Sequence, residues 1–127
     1  MALDEGHHRI FTFCRTENAY VSVIDTESGK QVTTIPATPK SSSDDLFYDP
    51  SKSRLYAISV IQTGTVNPGI IDVIQQRDAD HYERIATYET GSAAATGLFV
   101  PELGKLFVAV HAQPTGQGGE YLVYETK

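Results

Sequence analysis

The sequence predicts an all-β protein made of repeated antiparallel sheets. Short runs rich in Val, Ile, Tyr, Phe and Thr recur along the chain, as strands prefer. Turn-forming residues separate these runs, and no window shows helical periodicity. Similar segments return after about 50 residues, the repeat length of a propeller blade. The predicted architecture is therefore a partial β-propeller, with about two and a half to three four-stranded blades in the chain.

Two sets of equivalent positions define the repeat. The first set places a basic residue after a turn and before an apolar strand, and its members lie 45 and 51 residues apart: Arg9, Arg54 and Lys105. The second set has a regular spacing of 50 residues: Val21, Ile71 and Tyr121. A third segment appears only twice, at Gln31–Thr38 and Arg84–Gly91. The predicted blades cover about residues 2–38, 44–91 and 96–127.

Each blade is predicted to contain up to four strands, a to d, separated by turns such as DTESGK, YDPSKS and VPELGK. Strand a is expected at Asp45–Tyr48 and Gly97–Val100, and it is weak in the first blade. Strand b is expected at Arg9–Arg15, Arg54–Ile61 and Lys105–Ala112. Strand c is expected at Tyr20–Asp25, Gly69–Gln75 and Glu120–Glu125. Strand d is expected at Lys30–Pro36 and Tyr82–Glu89, and the third blade lacks this outer strand.

Apolar side chains on both sides of a strand indicate that its sheet is buried on two faces. In the run RLYAISVI, Leu55 and Ala57 point to one side, whereas Tyr56 and Ile58 point to the other. A sheet with one face in water would alternate more cleanly between apolar and polar residues. The pattern therefore favours sheets stacked face to face. The d strands are the most polar runs, which is typical of an edge strand.

Length and charge narrow the classes of partner. The chain has 127 residues and a net charge of −6, so it fits one domain, and nucleic acid is not an expected partner. The single Cys14 excludes an intrachain disulfide and a cysteine-based zinc site. No apolar run is long enough to span a membrane, and the start MALDEGHHR predicts no signal peptide. No cofactor is expected, because the sequence has no P-loop, HExxH or nucleophile-elbow motif.

Several segments resemble the repeats of YVTN-type β-propellers. They are FYDPSKSRLYAIS, VSVIDTESGKQVTTIPAT, LFVPELGKLFVAV and EYLVYE, and the similarity covers essentially the whole chain. The second half is similar to the C-terminal blades of a seven-bladed member, whose last outer strand comes from the N-terminus. The resemblance implies a propeller fold and a periplasmic or exported parent protein. It specifies no particular function.

A closed propeller uses about 4–8 blades, so one chain of this length cannot complete a ring. An open arc leaves an apolar blade face at each end, and such faces require a cover. One hypothesis is head-to-tail association into a homo-oligomer, in which two copies would supply six blades. A second hypothesis is that the missing blades lie elsewhere. A third is a monomeric arc with altered ends.

Loops at one end of the blades are the predicted place for a binding site. Arg15 and His111 lie at the ends of equivalent b strands and would suit an anionic ligand at the axial mouth; the alternative is that both are solvated loop residues. Asn67 lies in the corresponding loop of the second blade. Asp44 and Asp45 are expected just before strand a, where paired carboxylates either bind a cation or, as we favour, cap a turn.

No catalytic set of residues is evident, so the predicted function is a non-catalytic binding or scaffold module. The acidic segment RDADHYE, with Asp78, Asp80, His81 and Glu83, lacks the glycine and distal glutamate of a calcium loop, and no metal site is expected there. The alternative function is an enzyme of the propeller lactonase kind, acting at the axial mouth. Contact with DNA, the third possibility, is opposed by the negative charge.

Overall fold

The computed structural model describes residues 1–116 and 118–127, and its regular structure is almost entirely β. The strands are β1 (Ala2–Asp4), β2 (Arg9–Cys14), β3 (Tyr20–Asp25), β4 (Gln31–Pro36), β5 (Ser41–Asp49), β6 (Arg54–Ile61), β7 (Gly69–Gln76), β8 (Tyr82–Glu89), β9 (Thr96–Val100), β10 (Lys105–Val110) and β11 (Glu120–Glu125). One turn of 3₁₀-helix, Pro101–Leu103, connects β9 to β10. The all-β prediction is confirmed.

The strands form three antiparallel sheets in chain order. The first sheet has the order β1-β2-β3-β4, and the second has the order β5-β6-β7-β8. The third sheet contains β9, β10 and β11, with β10 in the centre. Each sheet is open, so each has two edge strands. Among the described residues, no helix has the length and apolar character needed to cross a membrane.

The second sheet lies between the other two, and a separate apolar core fills each interface. The first interface is packed by Phe11, Val21, Val23, Ile35, Leu46, Leu55, Ala57 and Ile74. The second interface is packed by Tyr56, Ile58, Ile71, Val73, Ala94, Phe99, Leu106, Val108 and Val110. Leu55 and Ala57 face the first sheet, whereas Tyr56 and Ile58 face the third. The predicted burial of β6 on two faces is confirmed.

Two buried polar groups of the second sheet connect it to the first. The Asp72 carboxylate is fully buried and accepts hydrogen bonds from Thr38 N at 2.8 Å and from Thr38 Oγ1 at 2.9 Å. Gln76 Nε2 donates to Asp4 Oδ2 at 2.8 Å, and Tyr48 Oη donates to Gln76 Oε1 at 2.6 Å. Burial, followed by the Asp4 charge, raises the pKa of Tyr48 to about 12. These polar groups therefore lie in a poorly solvated environment.

Strand β5 begins earlier than the sequence predicts. It starts at Ser41 rather than Asp45, because the serines of a loop-like stretch find hydrogen-bond acceptors both nearby and on the neighbouring strand β6. Ser41 Oγ donates to Thr38 O, and Ser43 Oγ donates to Ile58 O at 2.7 Å. The prediction that Asp44 and Asp45 precede the strand is therefore wrong. Both lie inside β5, next to a register shift in its pairing with β6.

Candidate functional site

The three sheets carry equivalent rows of side chains on each face. We call the face toward the next sheet in chain order the front, and the opposite face the back. Across each sheet, one residue from each of the first three strands forms a front row, set by the strand register. The front rows are Ala2, Phe11 and Val23; Phe47, Tyr56 and Val73; and Leu98, Phe107 and Val123. On the same strands, the adjacent residues point to the opposite face and form the back rows. These are Leu3, Ile10 and Ile24; Tyr48, Leu55 and Ile74; and Phe99, Leu106 and Tyr124.

Both interfaces join a front row to a back row. At the first, the front row of the first sheet packs on the back row of the second, and the Phe11 and Tyr48 rings lie 5.6 Å apart. At the second, the front row of the second sheet packs on the back row of the third. There the equivalent rings, Tyr56 and Phe99, also lie 5.6 Å apart. One packing arrangement is thus used twice.

The two remaining rows are not covered by any of the described residues 1–116 and 118–127. On the front of the third sheet, Leu98 is 58% exposed and Val123 is 52% exposed, with Phe107 between them. On the back of the first sheet, Leu3 is 49% exposed, and Ile10 and Ile24 are partly exposed. The front surface also contains a cleft of about 400 Å³ beside Leu98 and Phe107. These two open rows are the main candidate binding surfaces.

A polar cleft lies at the loop end of the first two sheets. It has a volume of about 440 Å³ and is lined by Arg15, Thr16, Glu17, Lys40, Ser41, Ser42 and Gln62. The two cations are already paired: Arg15 Nη2 lies 2.6 Å from Asp44 Oδ1, and Lys40 Nζ lies 3.2 Å from Glu17 Oε1. The structure thus brings Arg15 and Asp44 together, as an exposed ion pair that contributes little to stability.

The other three predicted site residues lie in different surroundings. Asp45 Oδ2 accepts a hydrogen bond from Gly97 N at 2.9 Å, which connects the second sheet to the third. Asn67 Oδ1 accepts from Thr63 N at 3.2 Å, while the Asn67 carbonyl accepts from Ala93 N at 2.9 Å. His111 is exposed at the end of β10, outside the polar cleft. Asp45 and Asn67 therefore have structural contacts of their own.

The acidic turn after β7 has a local role. Asp78 Oδ1 accepts hydrogen bonds from Asp80 N at 2.9 Å and His81 N at 3.0 Å, and lies 2.8 Å from His81 Nδ1. The hydrogen bonds from the Asp80 backbone and the His81 side chain lower the pKa of Asp78. Within residues 1–116 and 118–127, no group of three or more His, Cys, Asp or Glu side chains is placed to hold a metal ion.

A third cleft, of about 410 Å³, lies beside the edge strand β11. Ile85 and Tyr88 of β8 form one wall, and Tyr124 of β11 contributes to the other. The hydroxyls of Tyr56 and Thr126 are buried there, and neither has a hydrogen-bond partner of standard geometry in the described part of the chain. This cleft lies where β4 and β8 have no counterpart in the third sheet.

Comparison with known proteins gives no assignment. No protein-family model, curated protein or solved structure matches the chain. The functional conclusion therefore depends on the residues and the geometry described above.

Proposed function

We propose that this chain is a partial β-propeller of the YVTN type, and that it serves as a non-catalytic binding or scaffold module. Each sheet is then one blade, and the third blade has three strands. The equivalent front and back rows support this proposal, because they give every blade the same way of packing on the next. The module would bind protein through the open rows at its two ends.

The exposed front row of the third sheet is the observation that carries the proposal. The corresponding residues of the first two sheets pack into cores, whereas Leu98 and Val123 are each more than half exposed. Full burial of such an apolar side chain contributes about 1.5–3 kcal/mol. Covering this row is therefore favourable, and contiguous apolar patches of this kind mark interaction sites.

The arrangement of charged residues supports a binding role over catalysis. Arg15 is paired with Asp44, and the Asp45 carboxylate accepts a backbone hydrogen bond. His111 lies outside the cleft that contains Arg15. An acid, a base and a nucleophile would have to lie within hydrogen-bond reach of one another or of a substrate. The predicted candidates do not form such a set.

Turnover assays test the absence of catalysis. The purified chain is incubated with a panel of lactones and esters, together with the variants Arg15→Ala and His111→Ala and a matched surface control, Glu102→Ala. We expect all four proteins to give the uncatalysed rate. Turnover by the unmodified chain that falls in Arg15→Ala or His111→Ala, but not in Glu102→Ala, would favour the lactonase alternative and overturn the proposal.

A further inference from the structure

We infer that the open front row of the third sheet binds the open back row of the first sheet in a second copy of this chain. The inference rests on the proposed function and specifies the partner of the open rows. Two such contacts, one in each direction, would join two copies into a ring of six sheets. Six lies within the range of about 4–8 blades found in closed propellers.

The internal interfaces supply the template for this contact. Each joins one front row to one back row, with an aromatic ring of the front row next to the first residue of the back row: Phe11 with Tyr48, and Tyr56 with Phe99. The register places Phe107 at the position of Phe11 and Tyr56. It likewise places Leu3 at the position of Tyr48 and Phe99. The contact between copies therefore brings Phe107 against Leu3.

The back row that fits must come from another molecule. The chain contains three back rows, and those of the second and third sheets are already packed. The remaining back row is on the first sheet, and in one chain the second sheet lies between it and the open front row. A second copy presents the same back row with no such obstruction. The new contact continues the stacking already present within each chain.

Charge at the rim of the sheets agrees with this pairing. Arg9 reaches forward to the turn after β7, where its Nη2 lies 2.8 Å from Asp80 Oδ1. Arg54 likewise reaches the end of the third sheet, where its Nη1 donates to Lys127 O at 2.5 Å. Lys105 occupies the equivalent position on the third sheet. At the contact between copies, Lys105 of one copy would lie beside the turn after β3 of the other. That turn carries the exposed Glu27 and, at its far end, Lys30.

Size-exclusion chromatography with light scattering tests the inference through two charge substitutions. Val123→Lys alters the open front row, and Leu3→Lys alters the open back row. Both positions are about half exposed in the single chain, so both variants are expected to fold, which circular dichroism checks. The control is Leu103→Lys, which changes a 62% exposed residue outside both rows. We expect the unmodified chain and the control to have twice the chain mass of 13.9 kDa, and each row variant to be monomeric.

Mixing the two row variants identifies the geometry of the contact. Val123→Lys retains a native back row and Leu3→Lys retains a native front row, so the mixture is expected to form a heterodimer through one intact contact. If instead Leu3→Lys dimerises like the unmodified chain, the front row binds itself and the inference is wrong. Failure of the folded variants to complement each other also contradicts it.

A monomeric unmodified chain at concentrations up to about 1 mM would overturn the inference as well. If the chain is monomeric and also shows no turnover, the proposed binding function would be retained, but its partner would not be a second copy. Turnover that depends on Arg15 or His111 would overturn the proposed function whatever the mass. The two failures are therefore distinguishable.

Discussion

The two interfaces of the stack have similar apolar cores but different polar contacts. The first contains the buried Asp72 carboxylate and the chain of hydrogen bonds through Asp4, Gln76 and Tyr48. The second has the hydrogen bond from Gly97 to Asp45, and Tyr56 Oη lies in it without a partner of standard geometry among the described residues. Apolar packing therefore sustains both interfaces, whereas directional polar contacts act mainly at the first.

This difference indicates which sheets are held in a fixed position relative to each other. Apolar packing tolerates small shifts of the side chains. In contrast, the folded state is strongly destabilised if the hydrogen-bond donors of a buried carboxylate move away. Asp72 accepts hydrogen bonds from Thr38, on the first sheet's side, and from Thr87 Oγ1 at 2.6 Å in its own sheet. The first two sheets should therefore behave as a unit, to which the third sheet is attached mainly by apolar contacts.

Removal of the Asp72 carboxylate gives the largest expected effect. Asp72→Ala removes a fully buried carboxylate and leaves the partly exposed donors of Thr38 and Thr87 without their charged acceptor, so we expect a loss of about 4 kcal/mol in the free energy of unfolding. Asp45→Ala, at the second interface, removes one partly exposed hydrogen bond and should cost about 1 kcal/mol. Urea unfolding followed by circular dichroism measures both values. Equal losses would show that the polar contacts of the two interfaces do not differ.

Truncation of apolar side chains should affect the two interfaces equally. Leu55→Ala and Ile58→Ala change two fully buried residues of β6 that point into opposite interfaces. Each is expected to cost about 3 kcal/mol through lost burial and the cavity left behind. The same urea experiment gives the two values. A much smaller loss for Ile58→Ala would mean that the third sheet is packed more loosely than the structure shows.

A pair of tyrosine substitutions compares hydroxyls that differ in their partners. Tyr48→Phe removes the donor to Gln76 Oε1, and we expect a loss of about 1 kcal/mol. Tyr56→Phe removes a buried hydroxyl without a standard partner, so stability should change by less than about 0.5 kcal/mol or rise slightly. Thermal unfolding of the two variants at one pH checks the order. A larger loss for Tyr56→Phe would reveal a polar contact at the second interface.

Lowering the pH should weaken the first interface through protonation of Asp4. We expect this to be the smallest of the predicted effects on stability. Burial alone would raise the pKa of Asp4, but hydrogen bonds from Gln76 and His7 outweigh it and lower that pKa from 3.8. The stabilisation is therefore complete above about pH 4 and is lost as the pH falls through the lowered value. Asp4→Asn should flatten this loss in thermal unfolding between about pH 5 and pH 2. The exposed Asp44→Asn serves as the control, and an unchanged slope in Asp4→Asn would contradict the prediction.

Much of the fold could be predicted because repetition and alternation are local properties of the sequence. The limits of β3, β6, β8 and β11 agree with the predicted strands. The start of β5 was missed, because a run of serines and aspartates resembles a loop until the tertiary acceptors of Ser43 are known. The short β1 was predicted only as a weak strand, since Ala2–Asp4 pairs with β2 over three residues.

The site residues were harder to predict, because they depend on contacts between distant segments. Asp72 is separated from Thr38 by 34 residues, and Gln76 from Asp4 by 72, so no local pattern reveals their pairing. The one indication was a carboxylate inside the apolar run GIIDVIQQ. The open rows were anticipated in general terms as apolar end faces. Their residues could be identified only from the strand register.

Head-to-tail stacking also gives the molecule a polarity, like that of a subunit in a filament. The front-to-back packing of successive sheets is repeated at both joints, and the curvature of such a stack determines whether association of copies would close or continue indefinitely. Gly97 lies at one joint, where a Cβ atom would be 2.2 Å from Phe107 O and 2.5 Å from Ile58 Cδ1. A larger residue there would push against Ile58 of the second sheet, so the absence of one side chain helps to set how closely the second and third sheets pack.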